Sequence, residues 1–253
     1  MHPVAGRSLV VVASLSSLSC APCPASPTWH APDAAAFASL RVQLAERRAA
    51  RPTRPWAAGI HVVMREPRSG RTFEGRGALA VAPSRAVRMI LLGGAGATML
   101  DVWVSGQRWR VAIPALGVVR RGAAEAPDLP VGFLRWWFTE PLGGTLFAAE
   151  ERPPAQLWLL RTPGAVVQLE AVPCSPAGMS TEDGLLATRR TARTAERVLE
   201  CRAGAQVSAG DVAEYEDLGG GLKVRVQVES VSGTPPAEAF IDPDAPGALA
   251  ASP

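Results

Sequence analysis

Any chemistry in this chain has to come from four cysteines, three histidines and one cluster of carboxylates. His2 and His30 precede the expected folded body, which leaves His61, set between Ile60 and Val62 in an alternating stretch. One histidine cannot build a His-rich metal site, and neither HExxH nor a GxSxG elbow is present. His61 therefore reads as an ordinary strand residue facing away from its two neighbours. Gly93-Gly94-Ala95-Gly96-Ala97-Thr98 has the glycines of a phosphate-cradling loop but lacks its lysine, and strand-like stretches flank it on both sides. A hairpin turn is expected there. Asp211, Glu214, Glu216 and Asp217 could hold a cation, but their spacing is not that of an EF-hand and fits a solvated face. Cys174 and Cys201 have no histidine near them and do not space as a zinc site. In an oxidising compartment they would form a disulfide, the alternative being two buried thiols. The reading is of a non-enzyme with no metal site and no cofactor.

The first cysteine is different. Met1–Arg7 carries one positive charge, and Leu9–Leu18 is an apolar run of ten residues ending in Ser17-Leu18-Ser19-Cys20. Ten residues are too few to span a bilayer and fit the core of a signal peptide. A cysteine directly after small residues resembles a bacterial lipobox, with Ser17 where leucine is usual. Residues 1–19 are expected to be a signal peptide, and the thiol of Cys20 to carry a diacylglycerol; secretion without lipid is the alternative. Ala21 is not the aspartate associated with inner-membrane retention. The expected address is the periplasmic face of the outer membrane, or otherwise a soluble secreted or periplasmic state. Residues 20–32 are rich in proline and serine and make an extended tether, with Cys23 an odd thiol within it.

The rest of the composition excludes several classes. Hydrophobic residues make up 47% and charged residues 19%, so this is no disordered tail. The 26 basic and 23 acidic residues nearly cancel, which disfavours nucleic acid as a partner. Asparagine is absent, so no N-glycosylation site exists.

The elements that must position these residues are mostly strands. Asp33 can cap a helix from Ala34, with Phe37, Leu40 and Leu44 on one face and Pro52 beyond its end. From Ile60 the pattern changes to period two. Ile60, Val62 and Met64 alternate, then Phe73, Gly75, Gly77, Leu79 and Val81, then Val87, Met89 and Leu91. Leu100, Val102 and Val104 follow, then Trp109, Val111 and Ile113, with short glycine-rich turns between, as in an antiparallel meander. Residues 114–155 give no clear pattern. Gln156–Arg161 and Ala165–Glu170 form a hairpin, and Leu222, Val224, Val226 and Val228 form the cleanest strand in the chain. A single β-rich domain over 33–243 with a flexible tail at 244–253 is expected.

A terminal signal and helix, Gly75-Arg76-Gly77-Ala78-Leu79-Ala80-Val81, Asp101-Val102-Trp103-Val104 and a closing Phe240-Ile241-Asp242-Pro243 together resemble the bacterial lipoprotein-carrier superfamily with the LolA/LolB-like fold. That resemblance implies a mainly β protein: a curved, incompletely closed antiparallel β-barrel with a few covering helices over a cavity for acyl chains. A lipid or lipoprotein acyl chain would be the ligand, and the membrane would be met through the N-terminal lipid.

One segment concentrates aromatic surface. Phe133, Trp136, Trp137 and Phe138 fall within six residues, and on a helix the first three share a face. Such a helix must bury itself, either as core or as a lid over the ligand. Its expected surface is Leu79, Met89, Leu91, Leu100 and Val102, and these nine residues form the expected apolar site. A cavity of several hundred Å³ would favour a carrier. A packed interior would favour a structural lipoprotein acting through protein partners, and a cleft joining His61 to a serine and a carboxylate would favour an envelope hydrolase. Metabolic labelling with a fatty-acid analogue is expected to mark the wild-type chain and to miss Cys20→Ser; equal labelling of both removes the anchor.

Overall fold

Two antiparallel meanders meet edge to edge along the first and last strands of the chain. The computed structural model describes residues 33–123, 132–153, 155–174 and 181–245. The first meander comprises β1 (Trp56–Arg65), β2 (Thr72–Ala82), β3 (Ala86–Leu92), β4 (Thr98–Ser105), β5 (Arg108–Ile113) and β6 (Val118–Ala123). The second comprises β7 (Thr145–Arg152), β8 (Ala155–Thr162), β9 (Ala165–Cys174), β10 (Thr181–Thr191), β11 (Ala195–Arg202), β12 (Val212–Asp217) and β13 (Lys223–Ser232). Pairing of β1 with β13, in register from Ile60↔Val228 to Arg65↔Lys223, fuses them into one 13-stranded sheet. Its order runs from β6 through β1 and β13 to β7, so β6 and β7 are separate edges and the sheet does not close.

Alternation puts the apolar residues of nearly every strand on one face, here called inner. Across the first half, Ile60, Val62, Leu79, Val81, Met89, Leu91, Val102, Val104 and Trp109 are buried together with Val224, Val226 and Val228 of β13. Across the second half, Trp158, Leu160, Val167, Leu169, Leu185, Ala187 and Val198 form another cluster. The inner face is glycine at two positions of β2. A Cβ on Gly77 would lie 1.8 Å from the Ile90 carbonyl oxygen, and one on Gly75 would meet the end of Met99. Only glycine lets neighbouring backbone crowd β2 this closely.

Two helical segments cover this face. Helix α1 (Ala34–Ala49) starts as the sequence indicates, the Asp33 carboxylate accepting a hydrogen bond from Ala36 N at 2.7 Å. It lays Leu40 and Leu44 on the second half, and Trp158 Nε1–H donates to its Leu40 carbonyl at 2.8 Å. The second is the aromatic segment. Its described part, 132–139, is short, and Leu134–Thr139 winds as a π-helix rather than the expected α-helix. Leu129 to Val131 lie outside the described residues.

The outer face is held by charge. Arg88 makes a bidentate pair with Asp101, and Arg110 reaches both Asp101 and Asp244. The C-terminal segment lies across β4 and β5: Trp103 Nε1–H donates to Phe240 O, Arg108 pairs with Asp242, and Arg121 with Asp244. Asp244, placed at the start of a flexible tail by the sequence, is thus tied to the sheet; residues 246–253 lie outside the described ones. Cys174 and Cys201 are bonded across β10, their Cα atoms 5.7 Å apart, where Gly184 leaves room for the sulfurs. Replacing both with serine is expected to lower stability by about 3–4 kcal/mol in urea titration, the loop-closure value for this separation. A double mutant as stable as the wild type removes the bridge from the account.

Candidate functional site

The nine residues expected to form the apolar site divide between two inner-face clusters. Leu79, Met89, Leu91 and Val102 are buried in the first cluster, with Leu100 packed against it. Phe133 and Leu134 enter that same cluster from above, while Trp136 and Trp137 enter the second, and Phe138 touches both. The short helix therefore straddles the seam between the two halves. Its rings order one another: Phe133 stacks on Tyr215 at 4.5 Å between centroids, and Trp136 meets Trp137 edge to face at 5.4 Å.

This roof is fastened at its C-terminal end. Thr139 O accepts from Ser84 N, and the Arg48 guanidinium of α1 donates to the carbonyls of Leu142 and Gly144. Arg51, just past α1, lies over the Trp137 ring at 5.2 Å.

Beneath this end lies a cavity of about 90 Å³. Leu79, Phe138, Val207, Val212, Val226 and Val228 are among its apolar lining, and Arg51, Glu200, Arg202, Asp211, Trp137 and Thr139 also line it. The volume falls well short of the several hundred Å³ expected of an open carrier. Most of the inner face is filled by the protein's own rings. A larger concavity of about 520 Å³ lies around β10–β13 and β1, with Val63, Leu186 and Leu199 in its lining. Five of the six charges in its lining pair with one another, Arg197 and Lys223 with Glu216 and Arg225 with Glu214, and Arg65 is the sixth. The inner cavity, bordered by Trp137 and Phe138 of the aromatic segment, is the better candidate.

Its polar groups are unevenly satisfied. Both oxygens of Glu200 are held by Arg51, at 2.9 and 2.6 Å. Asp211, grouped by the sequence with a solvated acidic face, is instead buried. Its carboxylate accepts from Ala203 N, Ser208 N and Ser208 Oγ, and so shapes the loop between β11 and β12. Arg202 donates to Ala205 O, and its Nε forms a loose ion pair with Asp211 Oδ2 at 3.8 Å but has no hydrogen-bond acceptor among the described residues. Burial is the largest influence on Arg202 and lowers its pKa below the usual arginine value, with the Arg51 charge adding to the shift. Trp137 Nε1–H and Trp136 Nε1–H are likewise buried without acceptors among the described residues.

The remaining candidates are structural. His61 Nε2 sits 2.8 Å from Glu74 Oε1. Gly93–Thr98 is a turn joining β3 and β4. Among the described residues no group of three or more metal-binding side chains converges. Arg51, Glu200, Arg202, Val207 and Tyr215 were not picked out by sequence. A usable signal did exist: Glu200 and Arg202 flank Cys201, so alternation sends both to the face opposite the disulfide.

No protein-family model matches the chain, and no curated protein matches it. Solved structures do. A LolA-superfamily protein from Nitrosomonas europaea is 10% identical, covering 80% of this chain and 97% of its own, with a TM-score of 0.45. An outer-membrane lipoprotein-sorting protein domain from Vibrio parahaemolyticus is 9% identical over 83% of this chain and 97% of its own, with a TM-score of 0.40. A DUF1329-family protein from Desulfovibrio piger is 7% identical over 82% and 98%, with a TM-score of 0.48. No helix among the described residues is long and apolar enough to cross a membrane.

Trp137 is 1% exposed at the seam. Trp137→Ala is expected to lower stability by about 3–5 kcal/mol in urea titration, whereas a loss below about 1 kcal/mol would place the ring outside the core.

Proposed function

We propose that this chain is an exported, lipid-anchored envelope protein, held at the periplasmic face of the outer membrane through Cys20, that shelters an acyl chain against the inner face of its sheet. No bond is made or broken. The observation that carries the reading is the roof. A short aromatic helix lies across the seam of an apolar sheet and is fastened at its 139–144 end, with a cavity already present beneath that end. An acyl chain would take the place of Trp136, Trp137 and Phe138 over Leu79, Met89, Leu91, Leu100 and Val102. Each methylene then buried contributes about 0.8 kcal/mol, offset by the aromatic contacts given up. Lipoprotein acyl chains and phospholipids both meet this description.

The small cavity favours a second reading, a structural lipoprotein whose sheet is filled by its own side chains and which acts through partners. Native mass spectrometry of the full-length mature chain, released gently from detergent, separates the two. The carrier is expected to retain acyl lipid in a defined ratio, and to load added lipid when stripped. A chain that neither retains nor takes up lipid is the scaffold.

A further inference from the structure

The hairpin joining β5 and β6 ends in a stretch that the fold leaves unburied. Pro114, Ala115, Leu116, Gly117, Val118 and Val119 are consecutive, all are exposed, and none has a polar side chain. Leu116 at the tip is 72% exposed, more than any other large apolar side chain among the described residues. The tip is well formed. Pro114–Leu116 makes a single 3-10 turn, closed by Gly117 N donating to Pro114 O at 3.0 Å, with Gly117 at φ 62°. Exposed apolar runs of this length are disfavoured on a surface that meets only water. Two guanidinium groups stand directly behind the run. Strand β6 alternates, so Val118 and Arg120 share one face and Val119 and Arg121 the other. On each face the arginine therefore lies about 7 Å farther from the tip than the valine. Arg120 has no ion-pair or hydrogen-bond partner among the described residues, and Arg121, paired with Asp244, is still more than half exposed. No acidic residue occurs from Ala112 to Ala123.

We infer that the β5–β6 hairpin is a membrane-docking element, its tip entering the interface of an anionic phospholipid bilayer while Arg120 and Arg121 meet the headgroup phosphates. The spacing suits that partner. Interfacial elements bury apolar side chains about 5–10 Å into the boundary between headgroups and acyl chains. Basic residues set back by that depth stay among the phosphates, which attract them. A protein strand added to the β6 edge fits less well. It would pair with Val118–Ala123 and leave Leu116 outside the contact, and arginines on an edge strand oppose such pairing. A second copy joined through the same edge would set four guanidinium groups against one another. The inference stands apart from the acyl-binding reading and concerns which side of the body faces the bilayer. A lipid on Cys20 would hold the body near a membrane without orienting it, since Asp33 lies 13 positions further on, about 45 Å of chain at full extension. The hairpin supplies the orientation: β6 is a free edge of the sheet, and this contact turns that edge toward the bilayer.

The test uses the full-length mature chain carrying Cys20→Ser, so that no lipid anchors it, sedimented with vesicles of phosphatidylcholine alone or of phosphatidylcholine with phosphatidylglycerol. The chain is expected to bind the anionic vesicles, less so as salt is raised, and the neutral ones at least about fivefold more weakly. Leu116→Asp should lower partitioning onto anionic vesicles at least about tenfold. Arg120→Gln should lower it about fivefold there and leave neutral vesicles unaffected. Arg193→Gln, at an exposed arginine in the turn between β10 and β11, is expected to change nothing. Both hairpin positions are exposed, so urea midpoints of these variants should match the parent's, and the losses then report contact. Binding that survives Leu116→Asp, or that falls as far with Arg193→Gln as with Arg120→Gln, overturns the hairpin as the docking element. So does failure to bind either vesicle. A concentration-dependent dimer abolished by Leu116→Asp would overturn it in favour of a second copy. Acyl lipid retained by the same chain is read separately by native mass spectrometry, so the acyl-binding reading can fail or hold whatever the vesicles show.

Discussion

An open sheet of thirteen strands has to bury one whole face, and the described residues bring little helix to the task. Helix α1 covers part of the second half, chiefly β7 and β8. The remainder falls to residues 132–142, and that scarcity accounts for their composition. An aromatic side chain buries 150–250 Å², so Phe133, Trp136, Trp137 and Phe138 cover with one or two turns what would otherwise need a second long helix. The same scarcity explains the π-helical winding. Four large rings must reach two separate clusters from one short segment, and the wider turn spreads them across the seam.

The two faces are stabilised by different physics. Inside, burial dominates, and the few polar groups are enclosed in small networks such as Arg189, Glu196 and the Tyr215 hydroxyl. Burial pushes the Tyr215 phenol far above its usual pKa, so it stays neutral beneath Phe133. Outside, Arg–Asp pairs fix the C-terminal segment across β4 and β5. Most of those pairs are partly exposed, so each contributes little alone, and the segment depends on having several.

Legibility followed the local signals. Strands with clean alternation, from Ile60 to Ile113 and from Leu222 to Val228, could be read, because one face is buried and the other is polar. Strands β6 and β7 could not. All of β6 except Gly122 is exposed, and β7 carries a bulge between Leu146 and Ala148 that breaks its period. Strands β10 to β12 were missed because charged residues such as Arg189, Glu196 and Glu200 sit on the inner face, where neutral ones were expected. Burial of Leu79, Met89, Leu91 and Val102 on one face could be read from period, and burial of Phe133, Trp136 and Trp137 from the crowding of aromatics in one segment. Arg51, Arg202 and the role of Asp211 could not, since they depend on the end of α1 meeting the ends of β11 and β12 across long stretches of chain.

The junction of β1 with β13 has a bearing on how the molecule comes into being. The strand made first among thirteen finds its second neighbour only when the last has been made, with Ala57 opposite Ser232. Until then β1 is an edge, and the core cluster built on Ile60 and Val62 lacks Val224, Val226 and Val228. Closing so long an intervening chain is slow relative to forming hairpins. A chain halted before β13 would hold two unfinished half-sheets with an unpaired apolar strand between them, so completeness of synthesis is itself a condition for a sealed interior.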